Sequence, residues 1–291
     1  MIPLPPPVQS CAELPAFDVL RPAERTSPVV FASPHSGANY RAEFLERSAL
    51  PLKMLRRSED AHVDVLFSAA PDHGAPLVRA LFPRSYVDPN RAEYDLDPLL
   101  FGPRVHAITA RVSQRASAGL GVVPRLAGEG CAIYEGLLPL EEAFERLARC
   151  YRPYHAALAA ELAHARETFG HSVLIDCHSM PAASARGADI VLGDRFGSSC
   201  APDLTDRAER IFRSLGFKVV RNRPYAGGFA TEHYGQPAEG RHALQIEISR
   251  ALYMDEHTLE PHGGFDALKA RLEAFIAALQ ESGGAQSLAA E

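Results

Sequence analysis

Two apolar runs in this 291-residue chain end abruptly on histidine. Ser172-Val173-Leu174-Ile175 leads into Asp176-Cys177-His178-Ser179-Met180-Pro181, and Val29-Val30-Phe31-Ala32 leads into Ser33-Pro34-His35-Ser36-Gly37. Short apolar runs rich in β-branched residues read as buried strands. Their carboxyl ends then carry Asp176, His178 and His35, and open α/β sheets hold their ligands at that edge. Two strands that each finish on an imidazole predict a metal site assembled across neighbouring strand ends.

The rest of the pattern suits such a sheet. Further strand candidates fall at 76–82, 104–112, 188–193, 217–221 and 242–249. Between them, residues 139–169 form the clearest helix, with Leu140, Ala143, Phe144, Leu147 and Cys150 at i, i+3, i+4 spacing, continued by Leu158 and Leu162. Pro153 is expected to kink or divide it. Asp203–Leu215 and Asp266–Gln280 read as two more amphipathic helices, the second lying between the Gly263-Gly264 and Gly283-Gly284 stop signals. Alternating helices and strands predict an α/β fold with helices on both faces of the sheet. No linker or internal repeat divides the chain. It is read as one domain over 28–281, after an extended proline-rich arm at 1–27 and before a flexible tail at 282–291.

Composition narrows the function. The formal net charge is −6, and no stripe dense in Lys and Arg is present, which argues against nucleic acid as a partner. No stretch is apolar enough to span a membrane, and the proline-rich start lacks the basic flank and apolar centre of a secretory signal. The five cysteines are odd in number, scattered and free of any Cys-x-x-Cys pair, as expected for a reducing cytoplasm without a disulfide framework. Cys177 reads as a small buried apolar residue.

The chemistry-bearing candidates come from six segments. His35 and His178 follow strands, and Ser58-Glu59-Asp60-Ala61-His62-Val63-Asp64 offers acids and a further imidazole. Catalytic zinc commonly takes three His or Asp/Glu ligands and keeps a position for water. Two histidines and one group from 58–64 meet that count, though spacing does not choose among Glu59, Asp60, His62 and Asp64. The long polar stretch 84–138 carries Arg84, Asp88, Asn90, Arg91, Arg104, Arg111 and Arg125. An arginine fork suits a carboxylate, an adjacent Asn adds a neutral donor, and a second arginine suits a developing oxyanion. Glu247 lies on the alternating strand Ala243-Leu244-Gln245-Ile246-Glu247-Ile248-Ser249, sharing a face with Gln245 and Ser249. A carboxylate in that pattern is costly to bury unless paired or used, and near a metal it would serve as a proton acceptor. The stretch Asn222-Arg223-Pro224-Tyr225-Ala226-Gly227-Gly228-Phe229 lacks nucleotide-loop spacing and reads as a substrate-facing turn.

Taken together these segments, with Gly119-Leu120-Gly121-Val122-Val123-Pro124-Arg125, Tyr151-Arg152-Pro153-Tyr154-His155 and Leu192-Gly193-Asp194-Arg195-Phe196-Gly197, resemble the N-formylglutamate amidohydrolase family over residues 28 to 260. Pro89 departs from the aliphatic residue more usual between Asp and Asn. The resemblance implies a mixed β-sheet flanked by helices, similar to zinc carboxypeptidases (phosphorylase/hydrolase-like), and cleavage of the amide of a small-molecule N-acyl amino acid. It implies one Zn2+ per chain on His35, Asp60 and His178, with His62 in reserve, and Glu247 as general base. Arg84 would face the oxyanion. Asn90 and Arg91 would bind a substrate carboxylate, with Arg125, Arg195, Gly227 and Gly228 as further substrate contacts. The family's substrate would be N-formyl-L-glutamate, cleaved in histidine degradation. A deacylase or carboxypeptidase acting on another N-acyl amino acid or short peptide, or a binding protein of the same fold, is the rival expectation.

Overall fold

A computed structural model describes residues 15–109, 112–127 and 130–280; the first part of the proline-rich arm, Arg111 and the tail lie outside these residues. The strands are β1 (Phe17–Leu20), β2 (Val29–Ser33), β3 (Leu77–Ala80), β4 (Leu126–Ala127), β5 (Cys131–Ala132), β6 (Ser172–Met180), β7 (Ile190–Gly193), β8 (Val219–Arg221) and β9 (Arg241–Ser249). Seven of them make one sheet in the order β1-β3-β2-β6-β9-β7-β8. Strands β3, β2, β6 and β9 run parallel, while β1 and β7 run antiparallel to their neighbours β3 and β9, so the sheet is mixed. The end of the arm is thus built into the sheet, because Phe17–Leu20 pairs with β3 along its whole length.

Side chains alternate between sheet faces along a strand, and both faces are covered. On one face Phe31, Val173, Ile175, Leu244 and Ile246 pack with Phe212, Leu272 and Phe275 from the helices Pro202–Ser214 and Phe265–Gln280. On the other, Val30, Leu174 and Ala243 pack with Leu140, Tyr154 and Leu158 from the helices Leu140–Arg146 and Arg152–Phe169. This second face changes character toward the carboxyl ends of the central strands. Leu174 is followed on it by Asp176 and His178, and Ala243 by Gln245 and Glu247. One face therefore carries core at one end and chemistry at the other.

One local expectation fails and another is met one turn away. The stretch 104–112 is not a strand where described: Pro103–Ala107 is a 3-10 helix. Gly102 turns with φ +75, Pro103 presets a helical φ, and only Val105 of the five residues is buried. The 139–169 helix is divided, as expected, into Leu140–Arg146 and Arg152–Phe169, though not at Pro153 itself. Leu147–Tyr151 widens into a π turn just before it. Proline has no N–H for the carbonyl four residues back and clashes with it, and a widened turn accommodates both.

Candidate active site

Strands β2, β6 and β9 lie side by side, and their registry places Asp176 beside Gln245 and His178 beside Glu247. His35 follows β2 directly. The Asp60 N–H donates to the His35 carbonyl at 3.0 Å, docking the 58–62 segment on that turn. Asp60 Oδ2 then lies 3.3 Å from His35 Nδ1 and 3.0 Å from His178 Nδ1. His35, Asp60 and His178 are all buried and offer three ligand atoms within 4.8 Å of one another. The alternatives in 58–64 point elsewhere. Glu59 is buried against Tyr40 and Arg56. His62 sits in the left-handed region at φ 65 with Nε2 on the Leu259 carbonyl, and Asp64 pairs with Arg79.

The far side of each imidazole is also held. Asp88 Oδ1 lies 2.8 Å from His35 Nε2, and Asp176 Oδ2 lies 2.9 Å from His178 Nε2. Carboxylates in these places fix the ring orientation and tautomer of a metal-binding histidine and raise its basicity. The sequence reading gave neither acid this role, although an Asp-x-His pair on one strand necessarily shares a face. Arg250, one residue beyond β9, donates to Asp60 Oδ1 at 2.9 Å and to the Glu59 carbonyl at 2.7 Å. It too was missed.

The electrostatics of this cluster favour a cation. Burial raises the Asp60 carboxyl, but hydrogen bonds from both imidazoles and the charges of His35 and Arg250 hold it well below the usual range. Burial pulls His178 down, yet Asp176 and Asp60 together hold it well above an ordinary histidine. Three convergent donors that keep a proton between them suit a divalent ion, which displaces that proton on binding. The donor set fits zinc in number and type. Glu247 lies next to the cluster, and burial raises its carboxyl to about 7 in the protein alone, against the pull of His178. Gln245 Nε2 donates to Glu247 Oε1 at 2.8 Å and orients it.

These groups open into a cavity of about 520 Å3, lined also by Arg57, Arg84, Asn90, Arg91, Arg115, Tyr225, Gly227 and Gly228. Arg84 donates to Asp88 Oδ2 at 2.9 Å. Arg91 donates to the carbonyls of Leu120 and Asn90 at 2.9 and 2.7 Å. The Asn90 amide is fixed at both ends: Nδ2 faces Asp176 at 3.4 Å and His178 at 3.1 Å, and Oδ1 accepts from the Ala230 N–H at 2.8 Å. Arg125 does not line this cavity. Its Nε donates to the fully buried Asp97 at 2.7 Å, so it fastens the 84–138 segment to itself. Arg195 lines an adjoining cavity of about 870 Å3 and lies 3.3 Å from Glu232. Arg115 lines both cavities and was not singled out from the sequence.

The Tyr151–His155 motif supports the arginine wall. Tyr151 donates to the Arg91 carbonyl at 2.8 Å, and His155 Nε2 donates to the Pro89 carbonyl at 2.9 Å. Burial lowers His155 to about 4, so the ring is neutral and its Nδ1 accepts from the Tyr234 hydroxyl at 2.7 Å. Gly228 completes the fit. A Cβ there would meet the Asn90 amide at 2.5 Å, and an amide fixed at both ends cannot move aside. Gly228→Ala is expected to lower kcat/KM by about a hundredfold while Tm stays near wild type, because a shift of about 1 Å in a positioning group costs that much. Steady-state kinetics beside a melting curve check this.

The chain is similar to known proteins along most of its length. The family model described as N-formylglutamate amidohydrolase matches residues 27–254. An N-formylglutamate deformylase of Pseudomonas putida is 32% identical over 237 residues, covering 79% of this chain and 82% of that protein. Its counterpart in Pseudomonas aeruginosa is 31% identical over 237 residues, covering 79% and 83%. The crystal structure of N-formylglutamate amidohydrolase from Ralstonia eutropha JMP134 superposes with a TM-score of 0.87 at 37% identity, covering 94% of this chain and 100% of that one. A gene product of Agrobacterium tumefaciens shares the fold at a TM-score of 0.69 and 19% identity. With the family model spanning most of the chain and relatives above 30% identity along most of their own length, this chain belongs to the N-formylglutamate amidohydrolase family.

Proposed function

We propose that this chain is an amidohydrolase that cleaves N-formyl-L-glutamate to formate and L-glutamate, using one zinc ion held by His35, Asp60 and His178. The observation that carries the reading is the convergence of these three groups beside Glu247, at the floor of an arginine-walled cavity. The activity is the one named for the curated relatives. Among the described residues no helix is long and apolar enough to cross a membrane.

Zinc, when bound, polarises the formyl carbonyl and lowers the pKa of the attacking water to about 7. The chain does the rest. Asp88 and Asp176 hold the two imidazoles in their ligating orientation. Glu247 takes a proton from the attacking water as its oxygen bonds to the formyl carbon. It then returns that proton to the amide nitrogen as the C–N bond breaks. Gln245 keeps the carboxylate aimed during both transfers. Arg84 stands at the cavity wall, where its free N–H groups would meet the negative oxygen of the tetrahedral carbon. Arg91 supplies charge for a substrate carboxylate, with Tyr151 bracing its carbonyl and His155 that of Pro89.

The test is a substrate series on zinc-loaded protein. N-formyl, N-acetyl and N-succinyl glutamate are compared by release of free glutamate. The formyl compound is expected to be faster by at least about tenfold, since each added heavy group costs roughly 1–3 kcal/mol in a fitted pocket. Equal rates for all three would identify a broader deacylase, and no release from any would leave the protein outside this chemistry.

A further inference from the structure

We propose that Arg115 binds the side-chain carboxylate of the substrate and is the residue that selects an acidic amino acid. This rests on the reading of the reaction given above and names a specificity determinant for it. Hydrolysis needs only the reacting amide, so a second carboxylate on the substrate requires its own partner on the protein.

Five arginines line the first cavity against three carboxylates, Asp60, Asp88 and Glu247. The walls therefore carry positive charge in excess before any ion binds. Most of these arginines are engaged. Arg250 pairs with Asp60 at 2.9 Å and Arg84 with Asp88 at 2.9 Å. Arg57 has partners of its own. Arg91 reaches Asp88 only at 3.7 Å and otherwise bonds backbone carbonyls. The two arginines expected from the sequence to serve a second carboxylate are engaged elsewhere, Arg125 with Asp97 and Arg195 with Glu232. Arg115 differs from all of these: among the described residues no carboxylate pairs with it.

Its placement is built by the scaffold. The short helix Gln114–Ser117 is capped by Ser113, whose Oγ accepts from the Ala116 N–H at 3.0 Å. Asp95 holds that cap in turn, accepting from the Ser113 N–H at 3.1 Å and from its hydroxyl at 2.6 Å. The Asp95 carbonyl accepts from Val122 N–H at 2.9 Å, and the Val122 carbonyl accepts from Asp88 N–H at 2.8 Å. Arg115 is thereby tied to the backbone that carries Asp88 and Arg91. Its charge is close enough to Arg91 to disfavour the protonated form of that arginine. Two like charges brought together at a cavity mouth are relieved by an anion between them. One carboxylate on Arg91 and the other on Arg115 would satisfy both arginines. The junction lies where the two cavities meet, since Asn90, Arg91, Arg115, Gly227 and Gly228 line both.

The experiment compares N-formylglutamate with N-formylglutamine, its isostere with a neutral side chain, on zinc-loaded wild type, Arg115→Gln and Arg115→Lys. Wild type is expected to prefer the glutamate. In Arg115→Gln the ratio of kcat/KM for the two substrates should fall by roughly 10- to 100-fold, mainly through KM for the glutamate, as befits loss of a charged hydrogen-bonding pair. Arg115→Lys, which keeps the charge but not the fork, should recover part of the ratio. An Arg115→Gln enzyme that keeps the wild-type preference, or loses both substrates equally, overturns the proposal. If wild type itself hydrolyses neither compound, it is the underlying reading of the reaction that fails. Tm and zinc content of each variant show that the comparison is made on folded, loaded protein.

Discussion

Glu247→Gln should abolish most turnover without disturbing the metal centre. The carboxylate lies beside His178 in the sheet registry, is 6% exposed, and is aimed by Gln245. The amide is nearly isosteric and keeps a hydrogen bond with Gln245, so packing changes little. On the proposed reaction, what disappears is the site that would hold the water proton between attack and C–N cleavage. Loss of a general base costs on the order of 10²- to 10⁴-fold, so kcat is expected to fall by at least about a hundredfold with KM and zinc stoichiometry retained. The pH profile supplies a second readout. Burial places Glu247 at about 7 in the protein alone, and a nearby dication favours the ionised form and moves it down. The base must be unprotonated to act. Activity is therefore present above this pKa and lost as pH falls through it, giving an acid limb in kcat/KM below about 7. That limb should be absent from the residual activity of Glu247→Gln. A variant with wild-type kcat, or with an unchanged acid limb, would remove Glu247 from its assigned place.

What could be read from the chain, and what could not, divides along physical lines. Period and abrupt endings gave β2, β6 and β9, because a strand buried on both faces leaves a continuous apolar run and its polar terminus stands out. Hence the sequence places His35 and His178 at one sheet edge, whereas Glu247 reads only as a carboxylate on an alternating strand. Three-dimensional choices were not legible. Glu59, Asp60, His62 and Asp64 are equivalent as letters, and Asp60 is singled out by its backbone bond to His35 and by the left-handed turn at His62. Arg125 and Arg115 stand ten residues apart in one polar loop, and only the buried Asp97 shows which of them is already neutralised. The apolar alternation around 104–112 imitates a strand, although Pro103 opens a short helix, Pro103–Ala107, that buries only Val105.

Removal of the cation should be the most damaging single change, and it tests the site without mutation. Activity should fall to background on chelation and return with one equivalent of zinc per chain. Stability should follow. A ligand that binds only the folded state adds RT ln(1 + [L]/Kd), about 4 kcal/mol at a thousandfold excess over Kd. At roughly 2–4 °C of Tm per kcal/mol for a chain of this size, chelation should cost on the order of 10 °C. The direction with pH is set by His178. In the absence of the ion its imidazole holds a proton well above the usual range, through Asp176 and Asp60. Zinc has to displace that proton, so affinity weakens as pH falls and proton release accompanies loading. Asp60→Asn provides the matching variant. It removes a ligand charge that His35, His178 and Arg250 all share, leaving the buried Arg250 guanidinium with the Glu59 carbonyl and Ser179 hydroxyl. Its zinc affinity is expected to drop by at least about a hundredfold, as loss of one member of a tuned ligand set costs at least as much as loss of its outer-shell support. Excess zinc should not restore full activity. Full activity and an unchanged melting curve in metal-stripped wild-type protein would show that the convergence of His35, Asp60 and His178 serves folding alone.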